Sequence, residues 1–253
     1  MSGSLVIVGL GPGSPELTTP AVSRALQDAT DLVGYDTYLA RVPEIAGQRR
    51  HGSDNRVEVD RARHALALAA EGRRVVVVSS GDPGVFAMAA AVFEAIETGN
   101  PRWRSLAVRI EPGVMAMLAA AALAGAPLGG DFCAISLSDN LKSWATIERR
   151  LEAAAKGDFV IALYNPASQA RPRQLARAFD LLRTWKAGTT VVLFVRAAGT
   201  PRAALQVTTL GEAASVAADM LTLVLIGSSA TRLIARDGQS PWVYTPRSEA
   251  VQP

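Results

Sequence analysis

Short apolar runs that close on glycine alternate with longer stretches whose apolar residues recur at helical spacing. Residues 5–8 form a largely β-branched run ending on Gly9-Leu-Gly-Pro-Gly13. Thr19 then stands where a helix cap belongs, Pro20 suits the first turn, and Val22, Ala25, Leu26 and Ala29 fall at i, i+3, i+4 and i+7. Similar spacing predicts a helix over 60–71, stopped by Gly72, and another over 84–97 with Val85, Met88, Val92, Phe93 and Ile96 on one side. Between them, residues 75–78 are all valine, apolar on both faces as a buried parallel strand should be. Residues 106–110 read as the next strand.

A second series opens after Pro112-Gly113. It holds an Ala-rich helix over 114–124, a strand over 132–137, a helix over 144–155, a buried strand over 159–164 and a long helix over 169–185. Strands at 191–195, 205–210 and 221–226 make this half denser in strands. No fixed-period repeat or linker interrupts the series. The pattern predicts two packed α/β domains, 1–112 and 113–247, with a loose tail at 248–253.

Hydrophobic residues make up 49% of the 253 and charged ones 19%, which supports a sizeable core and excludes a disordered chain. The formal charge of +3 is too small to argue for nucleic acid without a clustered basic face. A single cysteine, Cys133, and two histidines, His51 and His64, remove disulfide scaffolds, iron–sulfur clusters and multi-histidine metal sites. The amino-terminal residues lack a basic leader, and the longest apolar run, 114–126, falls short of the roughly 20 residues a bilayer span needs. A soluble, cytoplasmic protein with no membrane partner is the expectation.

Ligands of open α/β sheets sit beyond the carboxyl ends of the strands, so those loops carry the candidate chemistry. In Gly9-Leu-Gly-Pro-Gly13 the glycines let backbone approach a ligand closely. Ser14 stands where a G-x-G-x-x-G fingerprint wants its third glycine, and Pro12 removes an N–H that a phosphate cradle would use. The second loop is Ser79-Ser-Gly-Asp-Pro-Gly84, where Asp82, held extended by Pro83, faces the loop's mouth, caps a helix starting near Pro83, or does both at once. The third is Glu111-Pro-Gly-Val-Met-Ala116, and the fourth Leu163-Tyr-Asn-Pro-Ala-Ser168, followed by Arg171 and Arg173. Arg196-Ala-Ala-Gly-Thr200 is the fifth. Five such loops spread over both halves point to one shared crevice for a small-molecule cofactor. No G-x-S-x-G elbow, H-E-x-x-H or P-loop pattern is present, so activated-nucleophile hydrolysis and nucleoside-triphosphate chemistry are disfavoured. His51 and His64 read as isolated, His64 as a surface or packing residue of its helix, and Cys133 as a small buried hydrophobe.

Taken together, Gly9-Leu-Gly-Pro-Gly-Ser-Pro-Glu-Leu-Thr18, Ser79-Ser-Gly-Asp-Pro-Gly84 and Glu111-Pro-Gly113 resemble, in order and spacing, the tetrapyrrole methyltransferases of corrin biosynthesis, over essentially the whole chain. Asp131-Phe-Cys-Ala-Ile-Ser-Leu-Ser-Asp139 and Leu163-Tyr-Asn-Pro-Ala-Ser168 resemble the branch that methylates C17 and contracts the macrocycle. The resemblance implies a non-Rossmann fold of two domains, each a mixed sheet flanked by helices, typically a homodimer, with S-adenosylmethionine in the interdomain cleft and no protein-bound metal. It implies conversion of precorrin-3B to precorrin-4 in the aerobic route to cobalamin. Carried over by position, Pro12 lines the cofactor; Ser80, Gly81 and Asp82 meet its amino-acid end; Met115, Ala116, Tyr164 and Asn165 are further contacts; and Ala198, Gly199 and Thr200 face the adenine. Met115 departs from the small hydroxyl residue usual at its position, and Ser53-Asp-Asn-Arg56 from a glycine-richer loop. Ring contraction moves a proton while a carbon migrates, which invites a general acid or base; Asp82, Ser138, Asp139, Lys142 and Tyr164 are the candidates. Arg171, Arg173, Arg196 and Arg202 are candidates for pairing with the substrate's carboxylates.

The sequence is compatible with other readings. The same methylation on cobalt-factor III, a metallated substrate, would leave little trace in the chain. Methylation at another ring position is weighed against by the 131–139 and 163–168 stretches. A nicotinamide-dependent oxidoreductase would read 9–13 as a dinucleotide loop and take Asp31 or Asp36 as the ribose carboxylate about 20 residues on.

Overall fold

The computed structural model describes residues 3–54, 57–168 and 171–248. The chain divides into two compact units, Met1–Met115 and Ala116–Pro253.

The first unit is built on β1 (Ser4–Gly9), α1 (Pro20–Asp28), β2 (Asp31–Tyr35), α2 (Asp36–Leu39), β3 (Arg49–Ser53), α3 (Glu58–Ala70), β4 (Arg74–Ser79), α4 (Met88–Thr98) and β5 (Ala107–Glu111). Its strands pair in the order β3-β2-β4-β1-β5. Every pairing is parallel, which corrects the expectation of a mixed sheet in this half. The cause is connectivity: each strand returns by a crossover rather than a hairpin, and parallel strands require one. Burial explains the valine run. Val75 and Val77 pack with Leu5, Ile7, α3 and α4, while Val76 and Val78 pack on the opposite face with Val8, α1 and Leu39. Thr19 caps α1 as expected, its side chain accepting from Val22 N–H at 3.3 Å.

Helix α4 begins at Met88 rather than at residue 84, because Phe86 takes a positive φ of 53° that breaks helical continuity. The strand β3 has no apolar residue to announce it; it is a polar edge strand held in register with β2, from Asp31↔Arg49 to Tyr35↔Ser53. This pairing corrects the reading of two isolated histidines. His51 on β3 lies 2.9 Å (Nε2) from Asp31 Oδ1, and His64 on α3 lies 3.0 Å (Nε2) from His51 Nδ1. Arg73 donates to the same Asp31 oxygen at 2.9 Å.

The second unit contains α5 (Ala116–Ala124), β6 (Gly125–Ala126), β7 (Phe132–Ser136), α6 (Trp144–Lys156), β8 (Val160–Tyr164), α7 (Gln174–Leu182), β9 (Val191–Arg196), β10 (Ala204–Thr209), β11 (Thr222–Ile226), β12 (Arg232–Ile234) and β13 (Trp242–Tyr244). Five strands form a sheet in the order β10-β9-β11-β8-β7, with only β7 and β8 parallel neighbours. A small sheet orders β12-β13-β6. Leu137, Ile147, Leu151, Phe179, Leu182 and Phe194 anchor the core. Cys133 packs half-buried against it, and burial pushes its thiol pKa up. Helix α7 is shorter than the predicted 169–185; reciprocal backbone bonds between Ser168 and Arg171 (3.2 and 3.0 Å) form a turn ahead of it. Gln169 and Ala170 of that predicted helix, and 249–253 of the predicted tail, lie outside the described residues. Among the described residues no helix is long and apolar enough to cross a membrane.

Candidate functional site

Because β4, β1 and β5 are neighbours in the first sheet, their carboxyl ends bring three of the glycine-bearing loops together. Leu10 N–H donates to Ser79 O at 2.9 Å, and Gly11 and Gly81 exchange backbone bonds of 3.2 and 2.9 Å. Contact is close enough that side chains are excluded. A Cβ on Gly9 would stand 2.3 Å from Gly81 O, and one on Gly113 would stand 2.1 Å from the same oxygen and 2.6 Å from Gly9 O. Asp82 ties the group from the side. Its Oδ1 accepts Gly84 N–H at 2.8 Å and its Oδ2 accepts Gly113 N–H at 3.0 Å. The carboxylate therefore joins the second loop to the third, and does not cap a helix at Pro83. Gly81 has a φ of +60°, and the space where its Cβ would stand is open to 4 Å, so a ligand has backbone access there.

One residue the sequence reading passed over sits beside these loops. Arg41, just beyond α2, donates through Nη1 to Ser80 Oγ at 3.1 Å. Its Nη2 reaches the carbonyls of Leu10 at 3.2 Å, Gly11 at 3.1 Å and Gly13 at 3.5 Å. Burial pushes the guanidinium pKa down, with Tyr38 opposing. The signal that would have found it is positional: Arg41 follows the carboxyl end of β2, a strand too short and too interrupted to read. Buried Arg61 holds the stretch after β3, donating to Ser53 Oγ at 2.9 Å and to Asp54 O. Asn55 and Arg56 of the 53–56 loop lie outside the described residues.

In the second unit, parallel pairing sets Ser136 of β7 opposite Tyr164 of β8. Asn165 takes a positive φ of 53° and donates through Nδ2 to Ser136 Oγ at 2.9 Å; Ser138 N–H reaches the same oxygen at 3.3 Å. The Tyr164 hydroxyl accepts Met117 N–H at 3.2 Å, at the amino end of α5. Burial raises the Tyr164 pKa, the Met117 N–H opposing it. Gln174 donates to Asp139 Oδ2 at 3.2 Å. Lys142 is pulled below its ordinary value, first by burial and then by Arg150. Around the fifth loop, Ala197 has a φ of +51° and its carbonyl accepts from Thr200 Oγ1 at 2.8 Å; Ala198 is buried.

Thus the first unit brings together Pro12, Ser80, Gly81 and Asp82, and the second brings together Ser138, Tyr164 and Asn165. The four arginines separate in character. Arg196 is bound to Asp219 at 2.8 Å, and Arg173 and Arg202 are exposed. Arg171 has a buried Nη1 with no hydrogen-bond partner among the described residues. Asp31 is removed as a ribose ligand: it is 1% exposed and committed to His51, Thr30 and Arg73. Asp36 does follow β2, but β4 intervenes between β2 and β1, whereas the dinucleotide fold sets those strands side by side. Among the described residues no cluster of three or more His, Cys, Asp or Glu is arranged to hold a metal ion.

Comparison with known proteins agrees with this geometry. Residues 4–214 match the model of the Tetrapyrrole (Corrin/Porphyrin) Methylases. The chain is 56% identical over 247 residues to a precorrin-3B C(17)-methyltransferase of Sinorhizobium sp., covering 98% of this chain and 97% of that one. It is 41% identical to a protein of Salmonella typhimurium named "Probable cobalt-factor III C(17)-methyltransferase", covering 96% and 98%. Among solved structures, the methyltransferase CobJ superposes with a TM-score of 0.92 at 56% identity, covering 97% of this chain and all of that one. The uroporphyrin-III C-methyl transferase of Thermus thermophilus, solved with S-adenyl homocysteine, gives 0.70 at 25% identity, covering 89% and 97%.

Proposed function

From the premise that the chain belongs to the tetrapyrrole (corrin/porphyrin) methylases, we propose that it is a precorrin-3B C17-methyltransferase. It methylates C17 from S-adenosylmethionine and contracts the ring to give precorrin-4, as a cytoplasmic homodimer of cobalamin biosynthesis. The observation that carries this reading is the 56% identity to the Sinorhizobium enzyme across nearly the whole of both chains, against 41% to the cobalt-factor III relative. The latter keeps the cobalt-bound substrate as the second reading.

A sulfonium supplies an activated methyl group, so what the chain must provide is position: near-attack geometry accounts for up to about 7–11 kcal/mol of barrier reduction. The loop cluster suits that task, since its three loops are fixed to one another before any ligand arrives. Pro12, Ser80, Gly81 and Asp82 are the proposed cofactor contacts of the first unit, with Met115 at its end. Ala116, Tyr164, Asn165, Ala198, Gly199 and Thr200 are those of the second. Proton movement during contraction falls to Ser138, Asp139, Lys142 or Tyr164. Tyr164 is favoured on position, since its hydroxyl stands at the carboxyl end of β8 beside the amino end of α5, where it accepts Met117 N–H. Asp82 is less suited, since both of its oxygens already accept backbone N–H groups. Arg171 is the favoured partner for a substrate carboxylate, because a buried guanidinium nitrogen without an acceptor supports an incoming anion.

Calorimetric titration with S-adenosylhomocysteine, with NADPH in parallel, tests the class. Micromolar binding of the first alone is expected; binding of NADPH alone would overturn the reading. Turnover of precorrin-3B with and without cobalt, followed by product mass and absorbance, then separates the two substrates.

A further inference from the structure

The glycine loop and the Ser79–Gly84 loop are joined by two kinds of contact, one through backbone and one through a side chain. Backbone bonds between Gly11 and Gly81 form an isolated antiparallel bridge beyond the parallel ladder of β1 and β4. The other link is a single side chain from a different element. Arg41 spans from Ser80 Oγ on one loop to three carbonyls on the other, all through the two terminal nitrogens of its guanidinium. Among the described residues no carboxylate lies within ion-pair distance of Arg41. Its charge is met by carbonyl dipoles and one hydroxyl.

We propose that Arg41 is a positioning residue for the methyl donor: it sets the carbonyls of Leu10, Gly11 and Gly13 and the hydroxyl of Ser80 in the arrangement that holds the cofactor. This rests on the reading of those loops as the cofactor site. Two physical consequences follow from the contacts. Carbonyls that converge on a guanidinium are held from rotating toward solvent, so the peptide planes that carry the Leu10, Gly11 and Gly13 carbonyls are set before binding. Ser80 Oγ accepts from Arg41, so its hydroxyl hydrogen is directed away from the guanidinium and is free to donate elsewhere. A lysine carries one nitrogen instead of a planar fork and cannot serve both loops in this geometry.

The test uses the full-length protein with Arg41→Met, Arg41→Lys and Ser80→Ala. S-adenosylhomocysteine affinity is measured by calorimetry, folding by circular dichroism and melting, and turnover with each substrate varied in turn. Arg41→Met should weaken S-adenosylhomocysteine about tenfold or more, the loss of one charge-assisted bond's worth of organisation. The KM for S-adenosylmethionine should rise in step while that for the tetrapyrrole stays within about twofold. Arg41→Lys should recover melting temperature but not affinity. Combining Ser80→Ala with Arg41→Met should cost less than the two single losses added, because they break one shared bond.

Unchanged affinity in folded Arg41→Met or Arg41→Lys protein would overturn the proposal, as would a rise in both KM values together, which marks general loosening. If Arg41→Met does not fold, the Arg41→Lys affinity decides alone. Wild-type protein that fails to bind S-adenosylhomocysteine would instead overturn the reading of the loops themselves, so the two failures are distinct.

Discussion

The two units fix their strand-end loops by different means. In the first, three loops meet largely backbone to backbone, with glycine at the closest contacts, one carboxylate bridging two of them and Arg41 another two. In the second, side chains do the fastening: Asn165 to Ser136, Tyr164 to Met117 and Gln174 to Asp139. Backbone contact leaves no room for variation in residue size, whereas side-chain contact tolerates exchange of one partner. The first arrangement suits a ligand that never changes, and the second suits adjustment to a particular substrate or reaction.

The largest effect should come from Gly113→Ala. Its Cβ would need space held by Gly81 O at 2.1 Å, and both neighbours are backbone. Displacing the loops by about an ångström should weaken S-adenosylhomocysteine and lower turnover roughly a hundredfold, with a stability loss of about 3 kcal/mol or more in urea. Wild-type affinity in this variant would dismiss the description of the first unit as inflexible.

A smaller effect is expected at Asn165, where two contributions separate. Asn165→Ala loses both the bond to Ser136 and the residue type that tolerates a φ of 53°, for about 2 kcal/mol. Asn165→Gly keeps the backbone conformation and loses the bond, for about 1 kcal/mol. Equal losses in chemical denaturation would mean that backbone conformation contributes nothing there. In both variants S-adenosylhomocysteine affinity should stay closer to wild type than in Gly113→Ala.

The smallest effect distinguishes the units by pH. His64 is held below about 6.5, first by burial and then by the neighbouring His51. The unfolded chain therefore takes up a proton that the folded unit resists, so stability of the first unit falls as pH drops through that value. Burial alone would raise Asp31, but hydrogen bonds from His51, Thr30 and Arg73 outweigh it and hold it below its ordinary value, so its contribution is lost only at lower pH. Amide exchange corrected for intrinsic rate should quicken over β2 and β3 before β9 and β11 on acidification. His64→Gln should remove the earlier phase; its persistence in that variant would assign it elsewhere.

What the sequence disclosed follows burial. The strands β4, β8, β9 and β11 are apolar on both faces and were legible at once, as was α1 from its cap and spacing. By contrast, β3 is made of Arg, His, Gly and Ser, and its existence depends on β2 beside it, which no local pattern records. The histidine pair was hidden for the same reason: thirteen positions separate His51 from His64 in the chain, and only strand-to-helix packing closes the gap. Of the candidate site, the glycine loops were legible because glycine at a strand end has few other uses. Arg41 was not, since one arginine after an unrecognised strand has no distinguishing neighbour. Asp82 was legible as important, but its task depends on Gly113, thirty-one positions away.

The interlocking of Gly9, Gly81 and Gly113 also bears on how this protein could be altered by design or by descent. Gly9 and Gly113 are both limited by the Gly81 carbonyl, and Gly113 by the Gly9 carbonyl as well, so the first and third loops cannot be diversified independently of the second. A library that varies the Ser79–Gly84 segment alone would be filtered first by the geometry of its neighbours and only then by chemistry. Useful variation in the first unit must therefore come from exchanging the three loops as a set, while the second unit's strand ends accept changes singly.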